Sequence, residues 1–472
     1  MIEYDAVVVG AGPNGLTAAA RLASRGRRVL VLERAPAIGG GARTEPFRTG
    51  PAVYDVCSAA HPFGAFSTAF SALGLQRYGL EWCHPRLPLA HPFDDGSAAV
   101  LQRDVAPTAA GFGLDRDPYR ALVEPFLARW PALAEGLLGP LLRVPPHPFV
   151  MARFGLTGLR SAESLVRRFS EPATRGLFAG LAAHSYLPLD RLFTGGLGLS
   201  LGLAAHAVGW PVAGGGSQAI SDALAAVIGA HGGEIVTGHE VRTLYELPPA
   251  RATLLDVTPH QFVSLAGGRL PNGRARRFWR WRYGAAAFKA DYLLSGPVPW
   301  TNEQCRQAGT VHLGGRFEDI ASAERATVSG TMADRPFTLV VQPSVADPSR
   351  APAGQHVVWA YSHVPNGDGA DRSPQLEGQL DRFAPGWRDL VVERRVRTAL
   401  DLQAYNPNNV GGDIAGGSLG RTQLVVRPWA PLHPYRTPIK GVWLCSASTP
   451  PGAGAHGMCG WHAAGDVLDA GG

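Results

Sequence analysis

The sequence predicts an α/β protein, with one largely parallel sheet gathered from separated stretches of chain and a second domain of mixed sheet and helices. Three observations carry this expectation. First, the apolar run at 6–9 enters a Gly10-x-Gly12-x-x-Gly15 turn, an Ala-rich helical stretch reaches Gly26, and a second apolar run ends at Glu33. Second, residues 441–444 read as a buried strand that runs into a turn of small residues and a closing helix. Third, the stretches 285–294, 310–313, 338–341 and 356–364 are rich in β-branched and aromatic residues, as strands of a separate sheet should be.

Residues 4–33 make a complete strand–turn–helix–strand unit of the Rossmann-like kind. Gly10 suits the tight turn, Gly12 lets backbone approach a pyrophosphate, and Gly15 and Ala19 allow the helix to pack closely on its strands. The helix start directs free N–H groups and a positive dipole end at the phosphates. Glu33, at the end of the second strand, suits a ribose hydroxyl and disfavours a 2′-phosphate, which leaves NAD or FAD. A second Gly-rich loop follows at 37–44. There the backbone and Arg43 can approach a further phosphate or a flavin edge.

From 77 to 213 short strand-like pieces at 87–91 and 98–101 give way to helical patterns at 117–138 and 161–183, broken by Pro-rich stretches such as 144–149. This reads as a helical insertion over a pocket. Trp210 to Gln218 opens another helix that runs to about Ala230. Residues 234–241 then read as a pair of strands and 251–256 as a further strand of the first sheet. Helices are expected near 317–329 and 373–383. The parallel-sheet domain is therefore assigned to residues 1–76, 214–269 and 435–472, and the substrate domain to 77–213 and 270–434.

Composition bounds the function. The 472 residues exceed one ordinary core, and 45% hydrophobic residues describe a core-forming chain. The net charge of +6 does not point to nucleic acid: only Lys289 and Lys440 are lysines among 44 basic residues, so the arginine excess looks like a coding bias. The Arg- and Trp-rich stretch at 274–283 reads as a solvated face with aromatic packing. Five cysteines without a CxxC pair suit reduced thiols in a cytoplasmic setting, and the strand starting at residue 4 leaves no room for a signal peptide. The uncharged run 193–221 is broken by glycines, His206 and Pro211 and suits a buried or substrate-lining segment, with peripheral membrane contact left open. His456, Cys459 and His462 lack metal-ligand spacing, so no metal site is expected.

Gly10 to Glu33, the Gly39-Gly40-Gly41 loop, the helix start at Gly214-Gly-Gly-Ser217 and the Pro451-Gly-Ala-Gly454 turn occur in an order that resembles the phytoene-desaturase-like FAD-dependent oxidoreductases of the flavin amine oxidase superfamily. The resemblance implies non-covalently bound FAD. It places Gly10, Gly12, Pro13, Asn14, Gly15, Glu33, Arg34, Gly40, Gly41, Ala42 and Arg43 on that cofactor, with the Val241 backbone at the adenine. Ser446, Gly452, Gly454, His456 and Gly457 would follow the pyrophosphate, ribityl chain and ring. Lys289 matches a strand lysine that acts in amine oxidases through water on flavin N5. Two departures stand out: the link from Val241 to Ala252 is short, and Ser446 occupies a position often acidic.

The activity so implied is removal of a hydride from a largely apolar small molecule, forming C=C or C=N, with O2 or a quinone taking the electrons. An amine oxidase is the alternative within enzymes, and a flavin-binding scaffold without turnover is the alternative outside them. His61 is the candidate catalytic histidine, and His184, Tyr186 and His206 are further polar candidates. Asn408, Asp413, Gln423 and Arg427 are candidate cavity residues.

Overall fold

In the computed structural model, residues 3–140, 145–420, 423, 427–428 and 432–471 are described. The beginning of the 144–149 break lies outside them. The strands of the two large sheets are, in chain order, β1 (Tyr4–Val9), β2 (Val29–Leu32), β3 (Leu87–Pro92), β4 (Ala98–Leu101), β5 (Glu234–Val236), β6 (Ala250–Leu255), β7 (Ala286–Leu294), β8 (Ala308–Leu313), β9 (Thr338–Val341), β10 (His356–Val364), β11 (Val391–Arg397) and β12 (Val442–Leu444).

The first sheet has the order β12-β6-β1-β2-β5 and all its pairs are parallel. Helices cover both faces, which is why β1 and β2 are runs of Ala, Val and Leu rather than alternating patterns. Helix α1 (Pro13–Ala23) follows β1 directly. Its N-cap is Gly12, without a side-chain cap, so its first-turn amides are left for other partners. The chain crosses to opposite sides of β1 on reaching β2 and β6, and the carboxyl ends of these strands border the crevice where ligands of such sheets bind. The closing helix, α6 (Met458–Asp469), lies against α1 so tightly that a Cβ on Gly460 would stand 1.8 Å from the Asn14 carbonyl oxygen.

The second sheet runs β11-β7-β10-β9-β8-β3-β4 and is antiparallel except for the β8/β3 pair. Helix α2 (Pro148–Gly158) packs on α4 (Thr194–Ala207) over the crevice, and α3 (Pro172–Ala183) and α4 lie against the sheet. The first part of the uncharged run 193–221 is α4. Apart from the half-buried Leu197 and Ala207 it is buried on every side, and glycines set its approach. A Cβ on Gly196 would meet the Gly158 carbonyl at 2.4 Å, and one on Gly198 would touch Ala182. At 14 residues α4 falls short of the ~20 that cross a bilayer. Among the described residues no helix is long and apolar enough to cross a membrane.

Two local features differ from expectation. Only β5 forms in 234–241: Gly238 turns the chain at φ +69°, and the rest loops back over the end of β2 instead of pairing. The strand β11 and the helix Ala399–Tyr405 were not expected. The arginine-rich 274–283 stretch begins in a helix, Asn272–Trp279, whose Phe278 is buried while Arg274, Arg276 and Arg277 face outward; Trp281 beyond it is buried too. Helix α5 (Gln218–Ala230) runs as expected. All five cysteines are free thiols.

Candidate functional site

A single cavity of about 1210 Å3 runs from the Gly-rich turn after β1 to the helices over the second sheet. It exceeds the roughly 300–1,000 Å3 of ordinary small-molecule pockets. At one end the backbone of Gly10, Gly12, Pro13 and Asn14 forms the floor. A Cβ on Gly12 would meet Asp256 Oδ2 at 2.8 Å, and one on Gly40 would stand 2.9 Å from Gly12 Cα. The two Gly-rich loops therefore face each other across a space that side chains would fill.

Glu33 stands at the end of β2, with its carboxylate accepting from the amides of Ala11 (2.7 Å) and Ala35 (2.8 Å). Arg43 reaches it at 3.5 Å and lies over the Tyr405 ring. Arg34, Gly41, Val241, Ser446, Gly454 and His456 also border the cavity. Gly15, Ala42, Gly452 and Gly457 do not line it. Gly15 packs on the Gly10 carbonyl, where a Cβ would come within 2.1 Å, and Gly457 packs equally closely on Thr17. These glycines shape the site from behind.

Asp256, which follows β6, is a cavity residue that the motif reading missed. Its carboxylate accepts from the Gly15 amide at 3.0 Å, taking one of the free donors at the start of α1. Asn408 fixes the loop behind it through the Asp256 carbonyl (2.9 Å) and the Thr258 amide (3.2 Å). Burial pushes the Asp256 carboxyl up to about 7; the Gly15 amide opposes this and the Glu33 charge adds to it. An acidic residue at the carboxyl end of a parallel strand beside the Gly turn was the available signal.

The other end is aromatic and apolar. Met151 and Phe154 from α2, Leu197 and Leu201 from α4, and Trp359 and Tyr361 of β10 line it together with His184, Tyr186 and Trp210. Tyr186 holds φ at +56°, an uncommon region for a bulky residue and one that is occupied where surrounding packing enforces it. Its ring centre lies 4.0 Å from that of His363, tilted by 34°, and His363 is bonded to the buried Glu324 at 2.8 Å. Burial lowers His184 to about 3 and raises Tyr186 well above its usual value, so both are neutral near pH 7. Among the described residues, the acidic side chains bordering the cavity are Glu33, Glu240 and Asp256, all toward the Gly-turn end.

His61 borders the cavity, yet protein groups hold both its ring nitrogens. Ser217 donates its hydroxyl to the Ser58 carbonyl (2.6 Å), so His61 Nε2 donates to Ser217 Oγ (2.8 Å) and Nδ1 is left as an acceptor for Ser58 Oγ (3.4 Å). Burial lowers His61 to about 4. Lys289 is set apart from the cavity. It is buried on β7, paired with Asp291 and flanked by the rings of Tyr54 and Trp359, with Trp359 presenting to the cavity instead. Burial lowers this lysine, opposed by the Asp291 charge. His206 is likewise structural, bonded to Tyr119 (2.6 Å) and the Arg103 carbonyl (2.9 Å). Asn408, Asn409 and Arg427 border the cavity, whereas Asp413 and Gln423 do not. Among the described residues no group of three or more His, Cys, Asp or Glu side chains is placed to hold a metal ion.

A dinucleotide cradle that opens into an apolar chamber is the arrangement of a two-domain flavin-type oxidoreductase. Comparison with known proteins agrees. A family model described as an NAD(P)-binding Rossmann-like domain matches residues 8–73. The chain is 27% identical, over 98% of its own length and 93% of the relative's, to pyridine nucleotide-disulfide oxidoreductase domain-containing protein 2 of Rattus norvegicus. It is 26% identical, over 96% and 92%, to the neurosporene-forming phytoene desaturase of Rhodobacter capsulatus. Its fold matches that of a putrescine oxidase solved with putrescine bound, at a TM-score of 0.65 and 16% identity over 99% of both chains. The chain is thus similar over nearly its whole length to a phytoene desaturase and shares the fold of a putrescine oxidase.

Proposed function

We propose that the protein binds FAD non-covalently and uses it to desaturate a largely apolar small molecule that carries no amine, a hydride passing to the flavin and a proton to solvent as a C=C bond forms, with O2 or a quinone as the final electron acceptor. The observation that carries this reading is the polarity of the cavity: a phosphate-type cradle at one end and, at the other, an aromatic chamber bordered by no carboxylate among the described residues. Gly10, Gly12, Gly40 and Gly41 would take the pyrophosphate, Glu33 a ribose, Val241 the adenine, and Ser446, Gly454 and His456 the remainder. When bound, FAD accepts the hydride at N5. The chain's part is to exclude water with the α2 and α4 side chains and to orient the substrate against Trp359, Tyr361 and the neutral Tyr186 hydroxyl.

The fold shared with a putrescine oxidase supports a second reading, oxidation of an amine. An ammonium entering this chamber would find no carboxylate, and a desolvated charge without a partner is costly. Anaerobic mixing with a panel of apolar alkenes, alcohols and amines tests the choice. Bleaching of the bound flavin by an apolar compound without an amine, and not by primary amines, is expected. Reduction by amines alone would replace this reading with the second, and inertness towards the whole panel would leave a scaffold.

Asp256 gives the site a pH dependence with a definite sign. Its folded pKa, about 7, lies above the ordinary carboxylate value near 4. The folded chain therefore holds the proton more tightly, and the stabilisation this gives is full below about pH 4 and lost as pH rises towards 7. The same ionisation puts a negative charge beside the phosphates. FAD affinity is expected to fall about tenfold from pH 6 to pH 8, and Asp256→Asn to abolish that slope. Fluorescence titration of FAD at several pH values checks it; an equal slope in both proteins would remove Asp256 from the phosphate site.

A further inference from the structure

Arg427 is a buried charge within the cavity wall, with no hydrogen bond or ion pair to it among the described residues. Its side chain is 1% exposed, and Nε, Nη1 and Nη2 have no hydrogen-bond partner among the described residues. Two groups act on it electrostatically, Cys459 and Asp413: the Cys459 thiol donates to the Thr449 (3.5 Å) and Gly452 (3.3 Å) carbonyls, and Asp413 spends its carboxylate on the amides of Gly284 (2.7 Å) and Ala415 (2.7 Å). The guanidinium lies 5.4 Å from the centre of the Trp281 ring, and that ring is itself fixed by its Nε1 bond to the Gly416 carbonyl at 3.2 Å. A guanidinium does not shed its proton in a protein, and an unpaired one carries a large desolvation cost. The fold also keeps it uncovered. A Cβ on Gly452 would come within 2.9 Å of Nη1, so glycine at that position leaves the fork clear.

We propose that Arg427 is an anion-binding residue inside the cavity, left unpaired by the fold so that a planar, negatively charged group on a ligand completes it. The planar fork suits such a group in two parallel hydrogen bonds. Two sources share this chemistry: a carboxylate on an otherwise apolar substrate, and the negative charge that a bound flavin ring takes up on reduction. The second source rests on the FAD reading above; the first does not.

The test uses full-length Arg427→Met and Arg427→Lys with decanoate and decanol as matched probes. Thermal shift of the flavin-free protein and absorbance changes of the FAD-loaded protein report probe binding, and dye equilibration reports the flavin midpoint potential. Without probes, Arg427→Met is expected to melt no lower than wild type, because it breaks no pair. If the substrate supplies the anion, wild type binds decanoate at least tenfold more tightly than decanol, Arg427→Lys keeps part of the preference and Arg427→Met loses it. If the flavin supplies it, neither protein prefers the acid, and Arg427→Met favours reduced over oxidised flavin at least tenfold less, a fall of about 30 mV for a two-electron couple. Equal acid preference and equal potential in wild type and Arg427→Met overturn the proposal, whatever the melting temperature. Failure to take up FAD would defeat the cofactor reading alone, since the flavin-free arm still tests Arg427; with no acid preference there either, both fall.

Discussion

Gly12→Val is expected to purify folded and colourless. At Gly12 the backbone is extended, φ −76° and ψ 172°, so valine meets no conformational penalty there. What it meets is space: the new Cβ would stand 2.8 Å from Asp256 Oδ2, facing the Gly40 loop, and its methyl groups would fill the floor of the cradle. FAD affinity should fall at least a hundredfold, about 2.8 kcal/mol, with a far-ultraviolet circular dichroism spectrum like that of wild type. A Gly12→Val protein that remained yellow at stoichiometric FAD would place the cofactor elsewhere.

The second large effect is on folding. Gly460 lets the last helix rest on the first, with the Asn14 carbonyl where a side chain would begin and the Ala18 amide 3.0 Å from the same point. Gly460→Val forces α1 and α6 apart. Both pack into one core with Leu16, Ala20, Ala463 and Val467, so the cost is overpacking across the whole helix pair. A loss of at least about 4 kcal/mol is expected, read as a lowered denaturation midpoint or as insoluble protein. A variant with the wild-type midpoint would contradict the close contact between the two helices.

The parts of this architecture that sequence reveals are those set by local spacing. The strand, Gly turn, helix and Glu33 of the first unit follow one another within 33 residues, and each has a steric or hydrogen-bonding reason to be the residue it is. The strands β7 to β10 were legible because sustained β-branched and aromatic runs have few other uses. The strand β11 was not: Glu393, Arg394, Arg395 and Arg397 load it with charge, a pattern suited to a sheet edge that reads as loop when its partner is unknown. Lys289 shows a different limit. Its strand was foreseen, but the surroundings of its side chain depend on the Lys289–Tyr361 and Lys289–Arg397 register and on Tyr54, brought in from far along the chain. The chamber walls share this dependence. Trp359 and Tyr361 meet Leu197 and Leu201 only after the helices settle over the sheet, and no spacing rule links them.

The central claim, that this cradle holds FAD, is tested most directly by the flavin content of the purified chain after incubation with FAD and removal of excess. Acid or heat denaturation is expected to release close to one FAD per chain into the supernatant, leaving a colourless precipitate. A protein that takes up no flavin would contradict the account, and flavin retained on the precipitate would contradict non-covalent binding.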